Sequence, residues 1–349
     1  MPIIIRKKRN ILLLLSAIVC LSCTQRSETE KHQKNRDNII NVHDRVIEIE
    51  MEDVLIDEYA TLYLISDYLI ICDYESHDKM VHLFDKKNFK YITSTANKGQ
   101  GPGEIANIGH IEANEAERLF YVTDHGKQRI FSYNLDSVLV NPDYMPEVKM
   151  KMNERQFPAK YQYINDTLSY GLIIEPIGNS DFRPTVGQWN MQTGEISLMK
   201  YTHPEIEKKR ITFAVSVDNG IYVECYCHHD LMSICTLDGN LKYNIYGEKW
   251  DNQKSNKYMY YDNVAFCKDK ILALYAPGIN NFAKKPNGEI KGNNSTQFII
   301  FDLNGDYIQT IETGYKISRF CYDEDNNRII LSMDDDIQFG YFDLAGIIE

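Results

Sequence analysis

The 349-residue chain lacks the short motifs that define the common enzyme classes. It contains no G-x-S-x-G nucleophile elbow, no H-E-x-x-H zinc-binding motif and no Walker loop, and no Cys/His pair stands in a recognised catalytic context. These absences exclude the enzyme families that such motifs identify. They do not exclude a site that the fold assembles from residues far apart in the sequence.

Basic residues are scarce. The chain has 38 Lys and Arg against 50 Asp and Glu, which gives a formal net charge of −12 at pH 7. An acidic surface repels the phosphates of nucleic acid and the headgroups of anionic lipids. We therefore expect no nucleic-acid partner, and we assign the charge mainly to solubility.

The N-terminal apolar segment is too short to cross a bilayer, because Ile11 to Leu21 is only eleven residues. A basic segment precedes it, as in a secretory signal peptide. It ends at Cys20-Leu21-Ser22-Cys23, which resembles the lipobox of bacterial lipoproteins, where the cysteine after the cleavage site carries diacylglycerol. We expect residues 1–22 to be a lipoprotein signal peptide and Cys23 to be lipidated, with plain cleavage and secretion as the alternative.

The segment after Cys23 is polar and contains no aromatic residue as far as Asn41. We predict that residues 23–41 form a solvated tether and that residues 42–349 form the globular domain. A lipid on Cys23 would hold the protein to a membrane. The expected location is therefore the cell envelope, at the outer membrane or its periplasmic face.

A sustained helical period of 3.6 residues is also absent. Instead, one pattern occurs six times: an apolar run that ends in an aromatic or small residue, then Asp, Asn or Thr, then a turn. Another apolar strand and a turn precede each copy. The aligned positions are Phe84, Tyr133, Trp189, Cys235, Phe301 and Phe342, at spacings of 49, 56, 46, 66 and 41 residues.

These repeats predict the fold. Each unit has the pattern of four antiparallel strands, and six units of about fifty residues fill residues 42–349. A ring of such sheets around a channel hides the strand edges that each sheet would otherwise expose. We predict an all-β, six-bladed β-propeller of four-stranded antiparallel blades. It is expected to be monomeric and closed by a strand from Val46 to Met51.

Two segments resemble a known family. KGQGPGE, Lys98–Glu104, is similar to a loop of the TolB-like six-bladed propellers found among bacterial envelope lipoproteins. TDHGKQRIFSYN, Thr123–Asn134, is similar to a phrase of NHL-type blades. The resemblance implies an accessory or sensing protein of the envelope more than an enzyme.

The glycine-rich loop is the first candidate site. A phosphate cradle does not fit, because no helix follows, the G-K-[ST] ending is absent and Pro102 lacks an N–H group. We expect a tight turn between two blades, in which Glu104 accepts hydrogen bonds from neighbouring amides. The alternative is a functional rim where Lys98, Gln100 and Glu104 meet a partner.

Aromatic residues form the second candidate site. Trp250, Tyr258, Tyr260 and Tyr261 lie in a polar connection between the fourth and fifth units. They would suit a surface that binds sugar or peptide, although tyrosines at strand ends that pack between blades explain the same pattern. A polar insertion from Pro277 to Ser295 follows, and it fits either a recognition element or tolerated loop length.

No metal site is expected from the sequence. CYCHHD, Cys225–Asp230, places both cysteines on one face of a strand and His228 on the other, and no second ligand pair lies nearby. We expect the cysteines after Cys23 to be buried and free, with a Cys225–Cys235 bridge as the alternative. His110 and Glu112 are the expected channel residues of the second blade.

The sequence favours a lipid-anchored propeller without catalytic residues or a cofactor. It would act as a binding, sensing or scaffold module for an envelope protein, peptide or glycan. The alternative is a hydrolase or lyase with a divalent cation at the channel mouth, similar to lactonase-like six-bladed propellers. Metal content and partner capture would separate the two hypotheses.

Overall fold

The computed structural model describes residues 28–178, 181–252, 257–280, 282–284 and 290–348. The predicted signal peptide and Cys23 lie outside this part of the chain. The described part of the chain begins with three short strands, β1 (Glu30–His32), β2 (Ile39–Asn41) and β3 (Ile47–Glu48). A 3-10 turn lies between β2 and β3. We call residues 28–48 the N-terminal arm.

The next three sheets are four-stranded and antiparallel, and each is built from consecutive strands. Blade 1 contains β4 (Ala60–Ile65), β5 (Tyr68–Asp73), β6 (Lys79–Asp85) and β7 (Tyr91–Asn97). Blade 2 contains β8 (Ile108–Asn114), β9 (Leu119–Asp124), β10 (Arg129–Asn134) and β11 (Glu147–Lys151). Blade 3 contains β12 (Phe157–Asn165), β13 (Leu168–Pro176), β14 (Phe182–Trp189) and β15 (Ile196–Leu198).

The last three blades include strands of the N-terminal arm. Blade 4 contains β16 (Ile211–Ser216), β17 (Ile221–Tyr226), β18 (Leu231–Thr236) and β19 (Leu241–Tyr246). Blade 5 contains β20 (Tyr258–Cys267), β21 (Lys270–Asn280), β24 (Ser295–Asp302) and the first part of β25 (Tyr307–Asp323). Its insertion forms the hairpin β22 (Phe282–Lys284) and β23 (Ile290–Gly292). Blade 6 contains the second part of β25, β26 (Arg328–Met333), β27 (Phe339–Asp343) and β3.

The predicted repeat coincides with the third strand of every blade. All six aligned positions are buried, and they lie on β6, β10, β14, β18, β24 and β27. Large apolar side chains are favoured there because the third strand packs against neighbouring blades on both faces. A separate hydrophobic cluster fills each of the six interfaces between neighbouring blades. The fold is a six-bladed β-propeller, as the sequence predicted.

The ring is closed by pairing of the two chain ends. Ile47 lies opposite Tyr341 and Glu48 opposite Gly340, so β3 supplies the outer strand of blade 6. This pairing confirms the predicted closing strand, which is shorter than Val46 to Met51. Between blades 6 and 1, Lys86 Nζ lies 2.6 Å from an Asp325 carboxylate oxygen.

The N-terminal arm corrects one prediction. Residues 28–41 were expected to belong to a solvated tether, but β1 pairs in parallel with β19, and β2 pairs in parallel with β25. The outer edges of blades 4 and 5 offer free backbone groups, and the arm satisfies them. Arg36 Nη1 also lies 2.8 Å from Asp230 Oδ1 in a buried ion pair.

One α-helix departs from the expected strands and turns. Helix α1 (Leu135–Val140) lies between the third and fourth strands of blade 2. Asn134 caps it by accepting a hydrogen bond from Ser137 N at 2.8 Å, while Leu135 and Val138 are buried. A helix of six residues is too short to give a periodic pattern. Across the described residues, the helices are too short or too polar to span a bilayer.

Candidate functional site at the mouth of the central channel

A cavity of about 490 Å³ lies on the axis of the ring. It is lined by the first strand of every blade, namely β4, β8, β12, β16, β20 and the second part of β25. Its volume is within the range of small-molecule sites. All six blades therefore contribute to this concave surface.

The structure places both predicted channel residues, His110 and Glu112, on the wall of this cavity. His110 Nε2 lies 2.7 Å from the carbonyl oxygen of Tyr161 and 3.1 Å from Glu112 Oε2. Both partners are acceptors, so we assign a proton to Nε2. The rings of Tyr63 and Tyr161 pack edge-on against the imidazole. These contacts hold His110 in a fixed orientation.

A second cavity of about 240 Å³ forms one mouth of the channel. Thr61 and Arg319 line both cavities, so the mouth opens into the axis. Tyr59 and Phe282 line the mouth and are 59% and 61% exposed, respectively. Two large aromatic side chains on a concave surface provide apolar contact area that none of the described residues covers.

The polar insertion of blade 5 forms one wall of the mouth. Gly292, the last residue of β23, and the next two residues, Asn293 and Asn294, line it. Asn294 Nδ2 lies 3.3 Å from an oxygen of Asp334 and 3.4 Å from Ser318 Oγ, both on blade 6. The insertion is thus tied to the neighbouring blade. This placement favours a recognition element over tolerated length.

Charged groups meet where the mouth joins the channel. Arg319 on β25 lies 3.4 Å from an Asp262 carboxylate oxygen and also donates to the carbonyl oxygen of Ser318. Lys160, on β12, is accessible to solvent in the channel and lies near both Arg319 and Asp262. The channel walls displace part of the water around the Lys160 ammonium group, and this desolvation, together with the Arg319 charge, lowers the pKa of Lys160, while Asp262 and Cys227 partly oppose that shift.

The six cysteines from Cys72 to Cys321 are free, and all but Cys227 and Cys321 are buried. Cys225 is buried between blades 4 and 5. Burial raises the pKa of Cys227 to about 12, so its thiol is protonated at neutral pH. In the described part of the chain, no three His, Cys, Asp or Glu side chains converge to hold a metal ion.

The glycine-rich loop is held together by its own charged side chains. Glu104 Oε2 accepts a hydrogen bond from Gly101 N at 2.6 Å, as predicted. Lys127 Nζ donates to the carbonyl oxygens of Gly101 and Glu104, each at 2.7 Å. Lys98 donates to the carbonyl oxygen of Ser76. These contacts favour the structural interpretation, and Gln100 is the exposed candidate without such a contact.

The structure favours the packing alternative for the aromatic candidates over a shared binding surface. Tyr260 and Tyr261 are buried because β20 begins at Tyr258, so both residues already belong to a strand that packs against blade 4. Trp250 is half-buried and contacts the rings of His203 and Tyr246. Of the four predicted aromatic residues, Tyr258 alone is exposed. They do not form a shared binding surface.

The exposed aromatics of the mouth were missed by sequence reasoning. Phe282 is the single aromatic residue in the insertion from Pro277 to Ser295, which is a usable signal. Tyr59 lies just before the first strand of blade 1 and carries no such signal. Only the ring brings these two residues together, because they are contributed by blades 1 and 5.

Comparison with known families supports the fold. The DUF5128 family model, described as a 6-bladed beta-propeller, matches residues 26–171. This range covers less than half of the chain. No curated protein sequence matches the chain closely enough to indicate a relationship. The TolB-like resemblance stays a prediction.

Solved structures share the architecture at low sequence identity. A member of the DUF4221 family from Bacteroides vulgatus is 10% identical, with a TM-score of 0.53 over 85% of this chain and 94% of that one. A Bacteroides fragilis protein whose designation includes the words exported protein is 11% identical, with a TM-score of 0.54 over 90% and 98%. A luciferin-regenerating enzyme is 8% identical, with a TM-score of 0.53 over 85% and 93%. At these identities the likeness concerns the fold alone.

Proposed function

We propose that the protein is an exported, lipid-anchored binding module of the cell envelope that holds its ligand at the channel mouth. The observation that carries this proposal is the pair of exposed aromatic side chains, Tyr59 and Phe282, on a concave surface that opens into the axis. Aromatic walls with a few convergent polar groups are typical of ligand sites. The expected ligand is an envelope protein, peptide or glycan.

The chemistry of the channel favours binding over catalysis. His110 uses Nε2 for a backbone carbonyl and for Glu112, so that nitrogen is not free to act on a substrate. Cys227 carries its proton at neutral pH, which makes it a weak nucleophile. Neither residue has the arrangement of a nucleophile beside a free base.

The docked arm limits how the protein would sit at a membrane. Cys23 precedes Glu30 by seven residues, and a fully extended chain of that length spans about 25 Å at most. Glu30 begins β1 on the outer edge of blade 4. With Cys23 lipidated, this edge of the propeller therefore stays close to the lipid surface. The likeness to a protein designated as exported agrees with this location.

Site-specific photo-crosslinking in the native envelope tests the proposal. A photoreactive phenylalanine analogue replaces Tyr59 or Phe282, and a matched analogue replaces Val140, which is exposed at the end of α1 and lies outside the mouth. We expect the same adduct from both mouth positions and none from Val140. Equal labelling from Val140, or no adduct from either mouth position, would contradict the proposal. A stoichiometric metal that chelators remove would favour the hydrolase or lyase alternative.

A further inference from the structure

We propose that the ligand of this site carries a carboxylate group, which binds between Lys160 and Arg319 where the mouth meets the channel. The inference rests on the proposed function, because it assigns a chemical class to the ligand of the same site. Lys160 belongs to blade 3 and Arg319 to blade 6, and these blades face each other across a six-membered ring. Both side chains line the axial cavity, and the Arg319 charge acts on Lys160.

Lys160 has no partner that explains its position. Within the described ranges, no carboxylate forms an ion pair with its ammonium group and no acceptor hydrogen-bonds to it, although Asp262 acts on it at longer range. The group stands on the wall of the channel, where the protein replaces part of its hydration. Arg319 adds repulsion, and the pKa of Lys160 is lowered as a result. An anion bound beside Lys160 would remove this penalty.

The charge balance of the site favours a single carboxylate. Of the charged groups that act on Lys160, Arg319 is positive and Asp262, which lies 3.4 Å from Arg319, is negative. Together with Lys160 they leave one positive charge, whereas the other carboxylates that line the two cavities, Glu112, Glu58 and Asp334, each interact with another residue of the protein. A carboxylate neutralises this remaining positive charge, whereas a phosphate dianion would leave an excess of negative charge beside Asp262. Planar carboxylates also suit the guanidinium group of Arg319.

The surroundings of the cations indicate the rest of the ligand. Tyr59 and Phe282 lie at the outer end of the mouth, and Arg319 lies where it joins the axis. A ligand that places its carboxylate at the cations leaves its apolar portion against these two rings. The site therefore fits an acid with an aromatic or aliphatic group, either free or as part of a larger envelope molecule.

Phenylacetate is a suitable probe, and phenylacetamide is its uncharged counterpart. Titration calorimetry on the soluble chain from Glu28 to Glu349 should show one phenylacetate site and much weaker binding of phenylacetamide. Lys160→Met should weaken phenylacetate binding about tenfold or more, because hydrogen bonds to charged groups are strong. Asp262→Asn should tighten it, because the competing carboxylate is lost. Lys242→Met, on the outer strand β19, is the matched control and should leave binding unchanged.

A direct measurement on the unmodified protein avoids dependence on the folding of variants. In a lysine-detected NMR titration, phenylacetate should raise the pKa of Lys160 and leave that of Lys242 unchanged. The inference is overturned by three results: no phenylacetate binding, equal binding of phenylacetamide, or unaltered binding by a folded Lys160→Met variant. Inorganic phosphate that displaces phenylacetate at a lower concentration would overturn the carboxylate assignment. Adducts at Phe282 without phenylacetate binding would leave the proposed function standing and remove this inference alone.

Discussion

The two halves of the ring treat their outer edges differently. Blades 1, 2 and 3 are sheets of four strands whose outer strands, β7, β11 and β15, pair with no further strand in the described structure. Blades 4 and 5 carry an additional parallel strand from the N-terminal arm, and blade 6 receives its outer strand from it. The second half is thus held by residues that precede the whole propeller in sequence.

This difference indicates how closure and anchoring are linked. The arm first crosses blade 4, then blade 5, and completes blade 6 before the chain enters blade 1. A ring in which the chain ends pair cannot open one blade without breaking that pairing. Tension on the N terminus would therefore act on blades 4 to 6 before it reaches blades 1 to 3.

Removal of the arm should have the largest effect on stability. A chain that begins at Met51 lacks β1, β2 and β3 and leaves Asp230 buried without Arg36. We expect its free energy of unfolding to fall by more than the roughly 3–5 kcal/mol that loss of one buried charge partner costs. Urea unfolding measures the change. A chain that begins at Glu28 is the control, and equal stability of the two chains would contradict a structural role of the arm.

Loss of the buried ion pair tests the arm without deleting it. Asp230→Ala leaves the Arg36 guanidinium buried among Tyr261 and Tyr275, so we expect destabilisation by about 3–5 kcal/mol. Asp306→Ala removes the exposed partner of Lys31 in the same arm and should cost less than about 1 kcal/mol. Thermal unfolding of both variants gives the comparison. Similar losses of stability for the two variants would show that Arg36 does not hold the arm on the propeller.

The glycine-rich loop provides a corresponding test in the first half. Glu104→Ala leaves Gly101 N without its acceptor, and we expect a loss of about 1 kcal/mol. Gln100→Ala alters an exposed side chain of the same loop and should change nothing measurable. Urea unfolding distinguishes them. If Glu104→Ala keeps full stability, the carboxylate serves a partner instead of the loop.

Acid should weaken the packing around Trp250 in blade 4. Burial lowers the pKa of His203 and of His229, whose rings contact Trp250. The unfolded chain then binds these protons more readily, so the contribution to stability is complete above about pH 6.5 and is lost as the pH falls below it. The double variant His203→Gln, His229→Gln should lose less stability than the wild type between neutral pH and about pH 5. An unchanged pH dependence would contradict this assignment.

Substitution of an aromatic residue at the mouth should have the smallest effect on stability and a large effect on binding. Phe282 is exposed, so Phe282→Ser should change the free energy of unfolding by less than about 0.5 kcal/mol. The same change should reduce crosslinking from Tyr59, because one wall of the site is lost. A large stability loss would mean that Phe282 belongs to the fold.

The sequence predicted the ring because each blade repeats a local signal. Each unit contains its own alternating apolar residues and turn residues, as the segments around Phe84 and Phe342 illustrate. Closure of the ring follows from the number of units. The arm was missed because its strands have three residues at most and lie in a polar segment. Nothing local indicates that Lys31 lies opposite Ile245.

The site is formed by residues from different blades, and no local sequence pattern indicates that these residues meet. His110 and Glu112 could be predicted because a propeller places the first strand of each blade on the axis. Lys160, Asp262 and Arg319 belong to three different blades, and only the closed ring brings them together. The choice between the two interpretations of the aromatic candidates also depended on the fold. Tyr260 and Tyr261 look like surface residues in a polar segment but continue a strand into the core.

Amide hydrogen exchange with the envelope component captured at Phe282 tests the central claim most directly. We expect protection at the mouth, around Tyr59 to Thr61, Asn293 and Ser318 to Arg319, with little change on the outer strands. Protection confined to β7, β11 or β15, with the mouth amides unaffected, would contradict a ligand site on the axis of the ring.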